Sequence, residues 1–212
     1  MIKFNDIYLN FNDKLILKGL NLEFRKNEKV IIAGRSGIGK STLFALLLGF
    51  SIPDKGTILF FGEELNSSNV WEIRNKISYV DQDAVSGTGI VSSWIKNICD
   101  YKSNKESGLS LEKVVEESKK LDMSIELYDK DISELSGGER QRISISLALA
   151  SGKKIFLLDE ITSALDDKLK TKVAEIFLTM EDSTVIVVSH DPVWTSLTNA
   201  KVFDLEEMKW QQ

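Results

Sequence analysis

Cysteine occurs once among the 212 residues, as Cys99, so no disulfide can form within the chain. Long apolar runs are missing too: Leu43 to Leu48 and Val185 to Val188 are among the longest. Both fall far short of the ~18 residues that cross a bilayer. The start MIKFNDIYLN lacks the charged-then-apolar layout of a signal peptide. These absences lead us to expect a cytoplasmic chain that meets a membrane only through a partner. Nor is there a basic surplus. The formal net charge is -5 and the pI about 5.1, which gives no general electrostatic attraction to nucleic acid. Low-complexity tracts, internal repeats and a coiled-coil insertion are also absent. What remains, at 42% hydrophobic and 28% charged residues, is the composition of one globular domain with a sizeable core.

Three continuous apolar runs, Val30 to Ala33, Ile155 to Leu158 and Val185 to Val188, read as strands covered on both faces of a mostly parallel sheet. Each stops at glycine or polar residues, and in open α/β sheets ligands sit beyond the carboxyl ends of the strands. The N-terminal part differs. Ile2, Phe4, Ile7 and Leu9, then Leu20, Leu22 and Phe24, alternate as in a half-buried antiparallel β flank. Helical stripes follow at Leu111, Val114, Val115, Ser118 and Leu121, and at Leu169, Val173, Ile176, Phe177 and Met180. The polar run Lys102 to Ser107 reads as a surface loop. The expectation is a single α/β domain over 1–212. Residues 1–83 and 136–212 would form the core with its β flank, and 84–135 an inserted helical subdomain.

Chemistry enters at Gly34-Arg35-Ser36-Gly37-Ile38-Gly39-Lys40-Ser41, a G-x-x-x-x-G-K-[ST] string between a strand-like run and the helix-like segment opening at Thr42. Glycines let the backbone amides turn inward around a phosphate, and the helix N-terminus adds favourable partial charge. Lys40 is placed to reach β- and γ-phosphates, and Ser41 to ligate Mg²⁺. A second element, Ile155 to Glu160, ends a buried strand in two carboxylates. Asp159 suits Mg²⁺ and Glu160 the attacking water, although such a string also marks ordinary strand ends. In the third, Leu135-Ser136-Gly137-Gly138-Glu139-Arg140-Gln141, Ser136 and Glu139 have capping-box spacing. It starts a helix, and its glycines would let amides approach an anion; an ordinary capped helix has the same look.

Together these strings resemble the ATP-binding cassette (ABC) family, with Leu135 to Gln141 similar to its signature. Tyr79-Val80-Asp81-Gln82-Asp83 resembles the Q-loop, Ser163-Ala164-Leu165-Asp166 the D-loop and Ser189-His190 the H-loop. The likeness runs from about Phe4 to Leu205. It implies the P-loop NTPase fold in its ABC ATPase form, with ATP and Mg²⁺ as ligands. Alone, a single histidine after an apolar run reads as structural; the resemblance instead has His190 hydrogen-bond the γ-phosphate and Gln82 contact Mg²⁺ or the attacking water. Phe11 is the candidate for stacking on adenine, its alternative being a place in the β flank beside Phe4 and Phe24. Asp166 and the signature residues Ser136, Gly137, Gly138 and Glu139 would meet the nucleotide across a head-to-tail dimer. The pattern departs from the family at Asn27, Leu147 and Lys153.

The resemblance further implies a second cassette, as homodimer or heterodimer, and an integral-membrane permease holding the chain at the inner face of the cell membrane. Coupling would run through Ala84, Val85 and the stripe Ile90, Val91, Trp94, Ile95 and Ile98. That stripe also reads as subdomain core with only Trp94 or Val85 exposed. The competing reading is a soluble ABC ATPase that drives assembly of a complex such as an iron-sulfur scaffold.

Overall fold

The computed structural model describes residues 1–11, 14–82, 85–197 and 200–211; Asp83 of the Q-loop string and the coupling candidate Ala84 beside it lie outside the described residues. From the N-terminus run β1 (Ile2–Phe11), β2 (Lys14–Phe24), β3 (Lys29–Ala33), α1 (Lys40–Leu47), β4 (Lys55–Phe60), β5 (Glu63–Glu64), α2 (Val70–Lys76) and β6 (Ile77–Val80). A helical stretch follows with α3 (Val91–Cys99), α4 (Lys102–Glu106), α5 (Leu111–Lys119) and α6 (Gly137–Ala150). The chain continues through β7 (Ile155–Asp159), α7 (Asp167–Thr179), β8 (Thr184–Val188), α8 (Val193–Ser196), β9 (Lys201–Asp204) and β10 (Lys209–Trp210).

The core is a sheet of order β10-β9-β3-β8-β7-β6, parallel throughout except where β10 pairs with β9 at the edge. The middles of β3, β7 and β8 are continuously apolar because both faces are covered, with Lys29, Thr184 and Asp159 confined to strand ends. Phe156 and Leu158 of β7 point into the helical side, whereas Ile155 and Leu157 point toward the β flank and α1. Val185 and Val187 of β8 and Ile31 of β3 follow the first pair, and Ile186, Val188, Val30 and Ile32 the second. Each such side chain withdrawn from water contributes about 1.5–3 kcal/mol. Parallel pairing carries the carboxyl ends of β3, β8, β7 and β6 to one edge, and with them Gly34, Ser189, Glu160 and Asp81.

The flank is a wholly antiparallel sheet, β2-β1-β4-β5. Its alternation skips a beat between Phe4 and Ile7, and a register shift stands there with Asp6 at φ 51°. Both phases remain buried because the irregularity turns the strand by one residue. Gly56 in β4 faces this bulge at φ 90°, and a Cβ there would lie 2.4 Å from the carbonyl oxygens of Asn5 and Asp6. Gly56→Ala is therefore expected to destabilise the fold by at least about 1–3 kcal/mol, seen as a lower midpoint in urea unfolding. An unchanged midpoint would mean that the bulge yields freely.

Three expectations need correction or explanation. Lys102 to Glu106 is a short helix with no buried residue, held by its own turn bonds and a Lys102–Glu106 pair at 3.9 Å; without an apolar stripe it carries no helical signal. Val85 is not exposed: at 3% it joins the helical core, as do Val91 and Ile95, while Trp94 and Ile98 are partly covered. Asn27, where the family favours glycine, sits at φ 63°, a conformation asparagine tolerates, and its amide donates to Thr184 Oγ1 at 2.9 Å. Of the other departures, Leu147 packs against the helical core and Lys153 Nζ donates to Ile77 O at 2.7 Å.

Candidate functional site

α1 begins at Lys40 behind Gly39, which has φ 113° and offers no side-chain cap, so the first-turn amides are open to an anion. A side chain at residue 39 would come within 2.6 Å of Ile16 Cγ2, so the tight turn into α1 requires glycine there. Lys40 is buried, and its Nζ donates to Gly34 O at 2.7 Å and Arg35 O at 3.2 Å. The loop thus closes on its own lysine, which an incoming phosphate can recruit. Arg35 points away, pairing with Glu206 at 3.1 Å, and Ile38 turns to the flank core.

A cavity of about 360 Å³ opens over this turn, and Phe11, Ser36, Gly37, Gly39, Lys40, Ser41, Thr42, Gln82, Asp159 and Glu160 line it together with Ile16 and Val188. Phe11 is 68% exposed at its mouth and so does not pack in the flank with Phe4 and Phe24. An exposed ring beside a phosphate cradle is free to stack on a base. Of the P-loop residues predicted as contacts, Gly34, Arg35 and Ile38 do not line the cavity.

Asp159 closes β7 at 3% exposure, and its Oδ1 has no hydrogen-bond partner. Burial, with the charges of Asp81 and Glu160, pushes its carboxyl above the ordinary range; a hydrogen bond from Ser41 and the charge of Lys40 oppose this. An orphaned buried carboxylate oxygen beside a serine hydroxyl fits Mg²⁺, whose other ligands would be phosphate oxygens and water. Among the described residues no group of three or more His, Cys, Asp or Glu could hold a metal.

Glu160 has φ 50°, a left-handed conformation costing a non-glycine residue about 1–2 kcal/mol. Bonds from the carboxyl end of β8 and the two residues after it hold it there. Its amide donates to Val188 O at 2.9 Å, its Oε2 accepts from Ser189 Oγ at 3.3 Å, and its Oε1 lies 2.9 Å from His190 Nδ1. His190 is largely exposed and does not line the cavity; it reaches the site through Glu160. The loop after it is anchored by Asp191, which pairs with Lys170 of α7 at 3.0 Å.

The capping box forms as the spacing predicts: Ser136 Oγ accepts from the Glu139 amide at 3.2 Å, and Glu139 Oε2 accepts from the Ser136 amide at 2.8 Å. A separate cavity of about 410 Å³ is lined by Ser136, Gly137, Gly138, Ala164 and Asp166 among others, and shares no residue with the first. Glu139 is absent from its wall. Asp166 also caps α7, accepting from the Leu169 amide at 2.9 Å. The glycine at 138 has a reason the sequence does not disclose: a Cβ there would lie 2.9 Å from Ala164 O.

Gln141 is the residue that the sequence reading passed over. It is 3% exposed and sits between α6 and the turn after β7, bonded to Glu160 O, Ser163 Oγ and the Ala164 amide. Its helical spacing from Gly138 and Ile145, onto the buried face, was the available signal.

The family profile described as ABC transporter matches residues 17–163. An energy-coupling factor transporter ATP-binding protein of Mycoplasmopsis synoviae is 33% identical over 199 residues, covering 90% of this chain and 74% of that protein. A Rickettsia typhi protein with an export ATP-binding/permease designation is 36% identical over 200 residues, 89% of this chain and 34% of its own length. The chain thus spans about a third of the latter relative and about three quarters of the former. The solved structure of a bacterial Atm1-family ABC exporter with ATP bound has TM-score 0.84 at 26% identity, covering 100% of this chain and 38% of that one.

Proposed function

Because this chain belongs to the ABC transporter family of ATPases, we propose that it binds Mg-ATP in the cleft above the P-loop, hydrolyses it as one half of a dimer, and powers a membrane permease. The observation that carries the first part is the convergence of an open helix N-terminus, a lysine already spanning that loop and the orphaned Asp159 Oδ1. Phe11 takes the adenine face, Lys40 moves from carbonyls to phosphate oxygens, and Glu160 orients the water and receives its proton. His190, held by Glu160, stands ready to donate to the γ-phosphate, and Gln82 completes the wall. Mg²⁺, held by Asp159 and Ser41, would neutralise phosphate charge when bound.

The dimer rests on the separation of two phosphate-facing helix starts into cavities with no residue in common. One chain offers a P-loop at one cleft and Ser136 to Gly138 at the other, so a head-to-tail pair would complete both. For the permease, the reading draws on the names of the relatives and on exposed apolar side chains. Within the apolar stripe from Ile90 to Ile98 only Ile90 is exposed, whereas Phe50, Ile52 and Trp71 are among the most exposed large apolar side chains, with Arg74 over the Phe50 ring at 4.4 Å and the Trp71 ring at 4.7 Å. An exposed aromatic pair with an arginine stacked on both rings has the makeup of an anchoring surface. Membrane attachment would come from that contact: among the described residues no helix is long and apolar enough to cross a membrane. Both relatives carry transport names, and the assembly-scaffold reading finds no support in them.

Phosphate release by the purified chain, with and without chelation of Mg²⁺, tests the chemistry; equal rates in both would remove Asp159 and Ser41 from their metal role. Capture from detergent-solubilised membranes tests the rest. The wild-type chain should retain a polytopic partner and Ile52→Asp with Trp71→Asp should lose it while ATP turnover persists. Retention by the double variant would move the contact elsewhere.

A further inference from the structure

The buried amide of Gln141 lies between the signature helix and the reacting end of β7. Its Nε2 donates to Ser163 Oγ at 3.0 Å and to Glu160 O at 3.4 Å, and its Oε1 accepts from the Ala164 amide at 3.0 Å. All three partners belong to the five residues Glu160 to Ala164, which connect the base to the D-loop. By contrast, Ser146, a buried polar group further along α6, bonds back to Arg142 O of its own helix. Side-chain amides in a dry core are retained where both ends are satisfied, and each lost partner would leave a buried group unpaired.

Glu160 is also poorly determined by its own backbone. Its left-handed φ is not one a glutamate adopts unaided, and its amide is fixed from β8 through Val188 O. The carbonyl side of the same residue meets α6 through Gln141. Two turns of chain are thus clamped from opposite layers, and Gly138 lets α6 come close enough for the clamp, since any Cβ at 138 would strike Ala164 O.

We propose that Gln141 is a positioning residue for hydrolysis: it fixes the Glu160 peptide and the Ser163–Ala164 turn to α6, so the base is aimed only while the signature helix is seated. The inference rests on the reading of Glu160 as the residue that directs water. It makes the orientation of Glu160 answer to α6, the helix whose start would face the partner's nucleotide.

The test is steady-state phosphate release together with ADP affinity by calorimetry, for wild type, Gln141→Leu and Gln141→Glu, each below its unfolding midpoint. Gln141→Leu removes all three bonds. Gln141→Glu keeps the acceptor for the Ala164 amide and can accept from a reoriented Ser163 hydroxyl, but it replaces the Nε2 donor that faces Glu160 O by a carboxylate oxygen, and it decides the matter if the leucine variant does not fold. In both, kcat is expected to fall by about tenfold or more, with KM and the ADP Kd within about twofold, because misplacing a reacting group leaves binding intact. Wild-type kcat in Gln141→Glu, or a loss of kcat matched by an equal loss of ADP affinity, would overturn the proposal. A wild-type chain that releases no phosphate would instead overturn the reading of Glu160, and this inference with it.

Discussion

Glu160→Gln is expected to lower ATP turnover by roughly 10²–10⁴-fold, the usual contribution of a positioned base, while ATP affinity stays near that of wild type. The change exchanges one oxygen for an amide nitrogen of the same size, so the bonds that hold the residue, from its amide to Val188 O and from Ser189 Oγ, have little reason to move. What disappears is the capacity to take a proton from water. P-loop contacts do not involve Glu160 Oε atoms, so binding proceeds, and with the γ-phosphate uncleaved the ATP-bound dimer should accumulate. Size-exclusion chromatography of the variant with ATP should then show a doubled mass that ADP does not produce. Turnover within about threefold of wild type would remove Glu160 from its role.

Lys40→Ala should produce the complementary defect. The ammonium is buried and forms charge-assisted bonds across its own loop, and in the proposed reading the same group turns to the phosphates. Removing such a buried, charged partner costs about 2–5 kcal/mol, or at least about a thirtyfold rise in the Kd for nucleotide. ADP and ATP should both suffer, because the cradle serves the β-phosphate as well as the γ. Calorimetric titration that returned wild-type affinity would count against the cradle itself. The two variants thus divide binding from bond cleavage, and a chain that responded identically to both would contradict the assignment of separate tasks.

Much of this architecture was legible in the order of residues. Strands β3, β7 and β8 announce themselves because a strand covered on both faces keeps an unbroken apolar run between its ends, and the glycine string before Lys40 has the spacing of a phosphate-binding loop. The capping box between Ser136 and Glu139 could be read from spacing alone, since both bonds lie within one turn. What escaped depends on contacts between distant segments. Whether Phe11 packs in the flank or stands open at the cleft turns on whether its ring is covered, which the alternation of β1 does not reveal. The coverage of Val85 is decided by the helical core that closes over it, and the short helix at Lys102 to Glu106 lacks any apolar face to betray it. Gly138 looks like a residue chosen for an anion, yet its nearest constraint is the Ala164 carbonyl. Gln141 was hidden for the same reason: a glutamine on a helix says nothing until its buried partners are known.

The two cavities without a common residue carry a kinetic corollary. If each reaction centre is shared by two molecules, output per copy depends on how often copies meet. Thinly scattered chains would hold their fuel and idle, while chains gathered in one patch would fire together, so that local density becomes a throttle needing no dedicated control element.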